Sequence, residues 1–331
     1  MERRLAMIPR FAYARPTSLQ QAIKQLSVPG TMVHAGGTDL LGCLRDGIVT
    51  SEKIVSISAL SGLRGITRTS DGGLRVGALT TLTEVADDPL VREHYTALAQ
   101  GAASAASPQL RNQGTLGGNL CQRPRCWYFR GDFHCLRKGG EICFAANGQN
   151  EFHCIFGGQN CFIVHPSDTA PALIALEARV SIAGLRGTKT VPLDSFFIGP
   201  ATNITRENML LPGEIITQIL LPAPVTQLRS SYRKVRARGA WDFALAGVAL
   251  KLRIADNHVE RARVVLSGVA PVPWRSTEAE KVLAGKILDE EAASQAASAA
   301  VQDAEPLSNN AYKIHLVKGI VYESLMALRH E

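Results

Sequence analysis

The chain has 331 residues, of which 46% are hydrophobic and 20% charged, and its formal net charge is +7. This composition is typical of a folded chain of about two domains and excludes an intrinsically disordered protein. No stretch approaches the roughly 18 apolar residues of a membrane-spanning helix. The apolar run at residues 5–8 is shorter than the roughly 7–15 residues of a secretory signal, so we expect none. The positive charge is compatible with an acidic partner or a nucleic acid but requires neither.

Hydrophobic spacing predicts mixed helices and strands in the first part of the chain. The predicted elements are a helix over 17–27 with Thr17 or Ser18 as N-cap, a strand over 31–35, a helix that begins at Thr38 or Asp39, a hairpin around Asp71-Gly72-Gly73, and an alanine-rich helix over 89–106.

Residues 121–161 show little periodicity and are interpreted as a loop wrapped around a ligand. Beyond them we expect a strand, a helix capped by Ser167 or Asp168, another strand, and a strand over 214–221. Residues 221–230 form a plausible interdomain linker. Three strands and helices at about 276–284, 288–302 and 311–329 complete an α+β pattern. The predicted domains are therefore 1–222, with the insert 121–161, and 223–331.

Several motifs of common enzyme classes are absent. No two of the 29 glycines stand in a G-x-G arrangement, which argues against a Rossmann-type dinucleotide site. The sequence also lacks G-K-[ST], G-x-S-x-G and H-E-x-x-H. Hydrolase and NTPase functions therefore lose most of their support.

Two Gly-Gly pairs, in AGGTDLL (35–41) and TLGGNL (115–120), share one pattern. Glycine lets the backbone approach an anion closely, and N–H groups near a helix start can bind phosphate. Two such loops about 80 residues apart can hold the two phosphates of a dinucleotide. The alternative is that each pair is simply a tight turn.

Six of the seven cysteines fall within 41 residues, from Cys121 to Cys161. In a reducing compartment such a cluster indicates metal or redox chemistry. Four of them have the spacing C-x8-C-x7-C-x17-C, without the C-x-x-C pair of most structural zinc sites. An iron–sulfur cluster, a zinc ion and free thiols all remain open. Arginines and a lysine in the same stretch would offset the charge of a cluster; they are Arg123, Arg125, Arg130, Arg137 and Lys138.

Six segments, in order, resemble one family: AGGTDLL, LRVGALTTLTEVA, QLRNQGTLGGNL, PSDTAPALIALEA, LPGEIITQILLP and YRKVRARGAWDFALAGVAL. The chain resembles the FAD-binding medium subunits of molybdenum hydroxylases, the group of xanthine dehydrogenase, carbon monoxide dehydrogenase and aldehyde oxidoreductases. The resemblance covers roughly residues 10–328. It implies an α+β, two-subdomain FAD-binding domain of the vanillyl-alcohol-oxidase/PCMH type and a C-terminal α+β domain of the CO dehydrogenase flavoprotein type.

Many members of this family lack the insert. Here it resembles the FAD and 4Fe-4S subunit of bacterial periplasmic aldehyde oxidoreductase, and the beta subunit of 4-hydroxybenzoyl-CoA reductase has a comparable extra cluster. By this resemblance the ligands of a 4Fe-4S cluster would be Cys126, Cys135, Cys143 and Cys161. Cys121 and Cys154 would be spare, and no role is assigned to Cys43.

The resemblance also implies the FAD-binding residues: Met32, Val33, His34, Ala35, Gly36, Gly37, Thr38, Asp39, Leu40, Thr115, Leu116, Gly117, Gly118, Asn119, Asp168 and Lys234. Asp168 matches an acidic residue beside the flavin, and Lys234 matches a basic residue that reaches the flavin from the C-terminal domain. The alternatives are a plain helix N-cap for Asp168 and a surface charge for Lys234. Tyr232 and Trp241 would either shield the isoalloxazine or pack in the core.

The function that this resemblance implies is electron transfer. The subunit would pass electrons from a molybdenum-cofactor large subunit and a 2Fe-2S small subunit, through FAD, to an external acceptor. No proton-transferring catalytic residue is nominated, since the flavin would supply the chemistry. The alternatives are reversed electron flow, as in 4-hydroxybenzoyl-CoA reductase, a basic zinc-binding module that contacts nucleic acid, and a scaffold that has lost its flavin. With no targeting segment expected, the compartment is either the cytoplasm or the periplasm, reached by export with a partner.

Overall fold

The computed structural model describes residues 8–256 and 258–329. Within this part of the chain the strands are β1 Ala12–Ala14, β2 Thr31–His34, β3 Lys53–Ser56, β4 Ile66–Arg68, β5 Leu74–Gly77, β6 Arg179–Gly184, β7 Gly187–Pro192, β8 Ile215–Leu221, β9 Leu228–Val235, β10 Ala246–Ala255, β11 His258–Ser267 and β12 Trp274–Arg275. The α-helices are α1 Leu19–Leu26, α2 Leu40–Arg45, α3 Leu82–Asp87, α4 Pro89–His94, α5 Thr96–Ser104, α6 Pro108–Arg111, α7 Leu116–Leu120, α8 Trp127–Arg130, α9 Thr169–Ala175, α10 Thr277–Leu283, α11 Glu290–Ala299 and α12 Tyr312–Arg329.

A small parallel sheet begins the chain, with strand order β1-β3-β2. Helix α1 connects its first two strands. Ser18 caps this helix by accepting a hydrogen bond from the Gln21 N–H, which confirms one of the two predicted N-caps. The helix buries Ala22, Ile23 and Leu26 in a core shared with β3. The sheet directs the carboxyl end of β2 into the first Gly-Gly loop.

A five-stranded antiparallel sheet follows, with strand order β4-β5-β8-β6-β7. The predicted hairpin around Asp71 is confirmed, since β4 and β5 pair antiparallel. Helices α3, α5 and α9 pack in the core beside this sheet. Strand β8 lies between β5 and β6, so the segments before and after the insert share one sheet.

The C-terminal unit is a four-stranded antiparallel sheet, β12-β11-β10-β9, with α10, α11 and α12 against one face. Strand β10 alternates between two cores, as a sheet covered on both faces requires. Val248 and Leu250 point to the C-terminal helices, while Ala249 packs with α5 and α9 of the preceding unit. The predicted α+β class and the three C-terminal helices are confirmed.

Three local predictions were wrong. The helix expected over 89–106 is divided into α4 and α5 at Tyr95, whose φ of −134° is not helical. Its buried ring packs in the core, and its hydroxyl donates to the Pro222 carbonyl at 2.7 Å, a tertiary contact that overrides local helix propensity. The strand expected just after Cys161 is absent from the described residues, and the linker after β8 is shortened to residues 222–227. The sequence also predicts a turn at Asp256-Asn257 between the last two of the three C-terminal strands, and Asn257 lies outside the described residues.

The cysteine-rich insert is mostly irregular, as predicted, with α8 as its one α-helix in the described residues. It is fastened to the C-terminal unit rather than projecting into solvent. The Ile155 N–H donates to the Val269 carbonyl at 2.8 Å, and Ile155 belongs to the C-terminal core. Lys313 of α12 is fully buried and donates to the carbonyls of Phe152 and Gly268 at 3.2 and 2.7 Å. These contacts fix the insert against the C-terminal unit.

Candidate functional site: a glycine-lined cavity beside a cysteine cluster

A cavity of about 710 Å³ lies where the small parallel sheet, the five-stranded sheet and the C-terminal unit meet. This volume falls in the range of small-molecule and cofactor sites. Both Gly-Gly loops line it, and so do Asp168 and the segment 241–243 of the C-terminal unit. The cavity is thus built from segments up to about 200 residues apart in the chain.

The first Gly-Gly loop packs directly on Gln113 and Gly114, which lead into the second loop. A Cβ atom at Gly36 would lie 1.9 Å from the Gln113 carbonyl oxygen, so only glycine permits this approach. Gly37 has a φ of +73°, which L side chains rarely adopt, and the His34 ring lies beneath it. The two loops therefore form one continuous wall of backbone, and the tight-turn alternative does not account for their contact.

The second loop is a short helix, α7, that begins at Thr115. The Thr115 hydroxyl accepts a hydrogen bond from the Gly118 N–H at 3.2 Å. Asn119 Oδ1 accepts hydrogen bonds from the hydroxyls of Ser167 and Thr169, at 2.5 and 2.6 Å. Because its oxygen is committed there, the Asn119 amide group is left as the donor on this side of the cavity.

Thirteen of the sixteen residues predicted to bind FAD line this one cavity: Met32, Val33, Ala35, Gly36, Gly37, Thr38, Asp39, Leu40, Thr115, Gly117, Gly118, Asn119 and Asp168. The other three lie just outside it. His34 has Nδ1 3.3 Å from Ser56 Oγ, and Leu116 is fully buried in the core. Lys234 reaches the cavity only through Asp168.

Asp168 and Lys234 form a buried ion pair across two units. Lys234 Nζ lies 2.8 Å from Asp168 Oδ2, and the Tyr232 hydroxyl donates to Asp168 Oδ1 at 2.7 Å. Burial raises the pKa of the Asp168 carboxyl, and the lysine and tyrosine counteract that effect. Asp168 occupies the N-cap position of α9 without a capping hydrogen bond from its side chain, and the Ser167 hydroxyl accepts from the Ala170 N–H at 3.0 Å. A plain N-cap therefore does not account for the contacts of the Asp168 carboxylate, and the surface alternative for Lys234 was wrong.

The two candidate aromatic residues behave differently. Tyr232 is buried among core residues of both units, beside the Asp168 carboxylate. Trp241 is 70% exposed and lines the cavity, so the core-packing alternative was wrong for this residue.

A second, smaller cavity lies within the insert. The four cysteines chosen as cluster ligands line it together with apolar side chains and His153: they are Cys126, Cys135, Cys143 and Cys161. Burial raises the pKa of the Cys126 thiol to about 12 and also raises that of Cys161. His153 Nε2 lies 3.2 Å from Cys126 Sγ, and burial lowers the pKa of this imidazole to about 4.

The donor set of this cavity was tested against the two candidate metals. In the described residues, no three His, Cys, Asp or Glu side chains converge tightly enough to hold one metal ion. A zinc ion needs four donors at about 2.0–2.3 Å from a single point. In a 4Fe-4S cluster each thiolate instead binds its own iron, so four thiols around one cavity fit that group better. The enclosed space is only about 10 Å³, so loading would require the thiols to separate.

The chain was compared with known proteins. The FAD binding domain in molybdopterin dehydrogenase matches residues 9–224, and the CO dehydrogenase flavoprotein C-terminal domain matches residues 230–328. The chain belongs to the FAD-binding medium subunits of the molybdenum hydroxylases. It is accordingly a subunit of an oxidoreductase.

Individual relatives of this flavin subunit match along nearly their whole length. The aldehyde oxidoreductase FAD-binding subunit PaoB of Escherichia coli K12 is 36% identical over 93% of this chain and 95% of its own. The carbon monoxide dehydrogenase medium chain of Hydrogenophaga pseudoflava is 31% identical over 90% of this chain and 88% of its own. The solved structure of carbon monoxide dehydrogenase from that organism, in a form lacking the Mo-pyranopterin moiety, matches with a TM-score of 0.78 and 28% identity over 97% of this chain and 98% of its own. Quinoline 2-oxidoreductase from Pseudomonas putida 86 gives the same TM-score at 25% identity, over 98% of each chain.

The positions of the insert arginines in the flavin subunit differ from the prediction that they surround the thiols. Arg123, Arg125 and Arg130 line the large cavity, because the Asp39 carboxylate and Glu207 draw them there. Of the five predicted cations, only Arg137 lines the cysteine cavity. Sequence order placed these residues beside the cysteines, but only the fold shows that Asp39, some 85 residues earlier, is their partner.

Two cysteines expected to be spare are outside the cysteine cavity. Cys121 lines the large cavity, and Cys154 is buried elsewhere. Cys43 lies 3.0 Å from Arg130 Nη1. Among the helices that the structure describes, none is long and apolar enough to cross a membrane.

Proposed function

We propose that this chain is the FAD and 4Fe-4S electron-transfer subunit of a molybdenum-dependent aldehyde oxidoreductase. It would assemble as a heterotrimer with a molybdenum-cofactor large subunit and a 2Fe-2S small subunit. Electrons from aldehyde oxidation would pass through FAD to an external acceptor. The similarity to PaoB along nearly the full length supports the aldehyde class.

One observation carries the proposal: the first Gly-Gly loop packs on the residues that lead into the second, and both loops line the same large cavity. Backbone N–H groups of the first loop, together with the Asn119 side-chain amide, provide donors for the diphosphate, whereas the N–H groups of residues 116–119 already donate within the protein. Bound FAD would supply a carrier that exchanges one or two electrons. Gly36 and Gly37 permit the close approach, Asn119 orients one polar contact, and Trp241 covers part of the cavity from the C-terminal unit.

The second cofactor follows from the insert. Four thiols around one apolar cavity match the ligand number of a 4Fe-4S cluster. Arg137 lines the same cavity and adds a positive charge near the thiolates. The insert begins directly after Asn119, so this cavity is tied to the flavin cavity by a few residues of chain. That arrangement favours electron exchange between the two cofactors.

The experiment is an anaerobic absorption spectrum of the purified complex, with acid-extracted flavin identified and iron and sulfide counted. The proposal expects FAD, and about four iron and four sulfide beyond the share of the small subunit. FAD without the extra iron would overturn the cluster and leave an ordinary flavin subunit. Absence of FAD would overturn the whole proposal.

A further inference from the structure

Three arginines of the insert line the wall of the large cavity next to the first Gly-Gly loop. They are Arg123, Arg125 and Arg130. Asp39, which ends that loop, holds them in place. Its Oδ1 lies 3.0 Å from Arg125 Nη2 and 2.8 Å from Arg130 Nη2, and its Oδ2 accepts the Arg123 backbone N–H at 2.8 Å. The arginines are therefore fixed within a side chain's length of the loop backbone.

The cluster carries more positive than negative charge. Besides these three arginines it contains Arg137, which pairs with Glu207 at 2.7 Å, and Glu207 is shared with Arg123 at 3.1 Å. Among the described residues, four guanidinium groups against two carboxylates, Asp39 and Glu207, leave two positive charges without a counterion. The side chains involved are between 1% and 29% exposed, so water screens this excess only in part.

No other carboxylate that lines the cavity compensates this excess, because each has a cation of its own. In the described residues these pairs are Asp46 with Arg45, Glu214 with Lys189, Asp168 with Lys234, and Asp242 with Arg238. The excess charge is thus a property of the cavity as a whole.

Arg125 has donor capacity that the protein does not use. Its Nη2 contacts Asp39 and the Gln122 side chain, but its buried Nε has no hydrogen-bond partner among the described residues. The guanidinium lies 5.0 Å from the centre of the Phe243 ring, which holds it at the cavity wall. A planar group with a free N–H edge is suited to bind phosphate oxygens.

We infer that the insert arginines form an anion subsite that binds the diphosphate of FAD beside the first Gly-Gly loop. This inference rests on the proposed function. Two uncompensated positive charges match the two negative charges of a diphosphate, and Asp39 joins the arginines to the loop that would hold it. Asp39 thus acts as an anchor for the arginines rather than as a direct ligand, since a carboxylate would repel phosphate. The same insert therefore serves both cofactors.

The test compares FAD with riboflavin, which has the same ring and no phosphate. Full-length protein is freed of flavin, and both ligands are titrated into wild type and Arg125→Gln by flavin fluorescence. A lost charge-assisted hydrogen bond predicts a Kd for FAD raised roughly tenfold or more, with riboflavin changed less than twofold. The effect should shrink as salt is raised. Arg125→Lys, which keeps the charge, should recover part of the affinity.

Arg253→Gln is the matched control, because Arg253 is half exposed on β10 and, in the part of the chain that the structure describes, pairs only with Glu260 at 2.9 Å. It should leave both affinities unchanged. Thermal unfolding of each flavin-free variant shows whether the fold is intact. If Arg125→Gln binds FAD like wild type, or loses FAD and riboflavin affinity equally, the inference is overturned. If wild type itself takes up no FAD, the proposed function fails. This outcome differs from those that overturn the inference, because in them wild type still binds FAD.

Discussion

Lys234 and Asp168 belong to different units of the chain, yet their charged groups lie 2.8 Å apart with each side chain at most 6% exposed. Asp168 stands at the start of α9 and lines the large cavity, while Lys234 lies on β9 of the C-terminal sheet. The pair therefore ties the C-terminal unit to the cavity at the point where the flavin ring is proposed to lie.

Lys234→Met should destabilise the chain strongly. It leaves the Asp168 carboxylate buried with Tyr232 as its main remaining partner, a change that typically costs about 3–5 kcal/mol. The double variant Lys234→Met/Asp168→Asn should recover much of this loss, since no unpaired charge remains. Urea unfolding of the three proteins measures the effect, and an equally unstable double variant would contradict this account.

Gly36→Ala should impair both folding and flavin binding. Its Cβ would lie 1.9 Å from the Gln113 carbonyl oxygen, so the two loops must separate. Gly42→Ala is the matched control, because Gly42 also lines the cavity and its Cβ would meet nothing within 4 Å. Melting temperature and bound FAD should both fall for Gly36→Ala alone. Normal flavin content in that variant would contradict the proposed role of the loop contact.

Cys135→Ser should remove the additional iron while most of the FAD remains bound, because Cys135 lines the cysteine cavity and not the large one. Cys121→Ser is the control, since Cys121 is a neighbouring cysteine outside the cysteine cavity. Iron and acid-extracted flavin are counted in both. Full iron content in Cys135→Ser would show that the proposed ligand set is wrong.

His165 should make the chain sensitive to acid. It is buried, its Nε2 has no hydrogen-bond partner within residues 8–256 and 258–329, and burial lowers its pKa to about 3. The unfolded chain binds a proton at this residue near pH 6.5, whereas the folded chain does not until about pH 3. The free energy of unfolding should therefore fall as pH decreases through this window.

Replacing His165 by Phe, which cannot take up a proton, should make that fall less steep between pH 6 and 4. Urea unfolding of the flavin-free chain at several pH values measures it. The exposed His258→Gln serves as the control and should keep the wild-type slope. An unchanged slope in His165→Phe would show that other groups cause the acid sensitivity.

Local sequence patterns were sufficient for much of the fold. The periodicity of α1, α10, α11 and α12 and the alternation of β9 and β10 predicted these elements within a few residues. The helix over 89–106 was not predictable as two pieces, because its break depends on Tyr95 reaching the Pro222 carbonyl, 127 residues away. Contacts of that range leave no local signal.

The candidate site shows the same division. The family resemblance carried by the six quoted segments and the insert identified thirteen cavity-lining residues and four thiols that share one cavity. Only the tertiary structure decided that Gly36 packs on Gln113, that Lys234 pairs with Asp168, and that Asp39 draws the insert arginines to the large cavity. The role of a glycine pair follows from its backbone freedom, and the role of a thiol follows from its side-chain chemistry. Both can therefore be recognised in the local sequence. The partner of a charge, by contrast, depends on which distant segments the folded chain brings together.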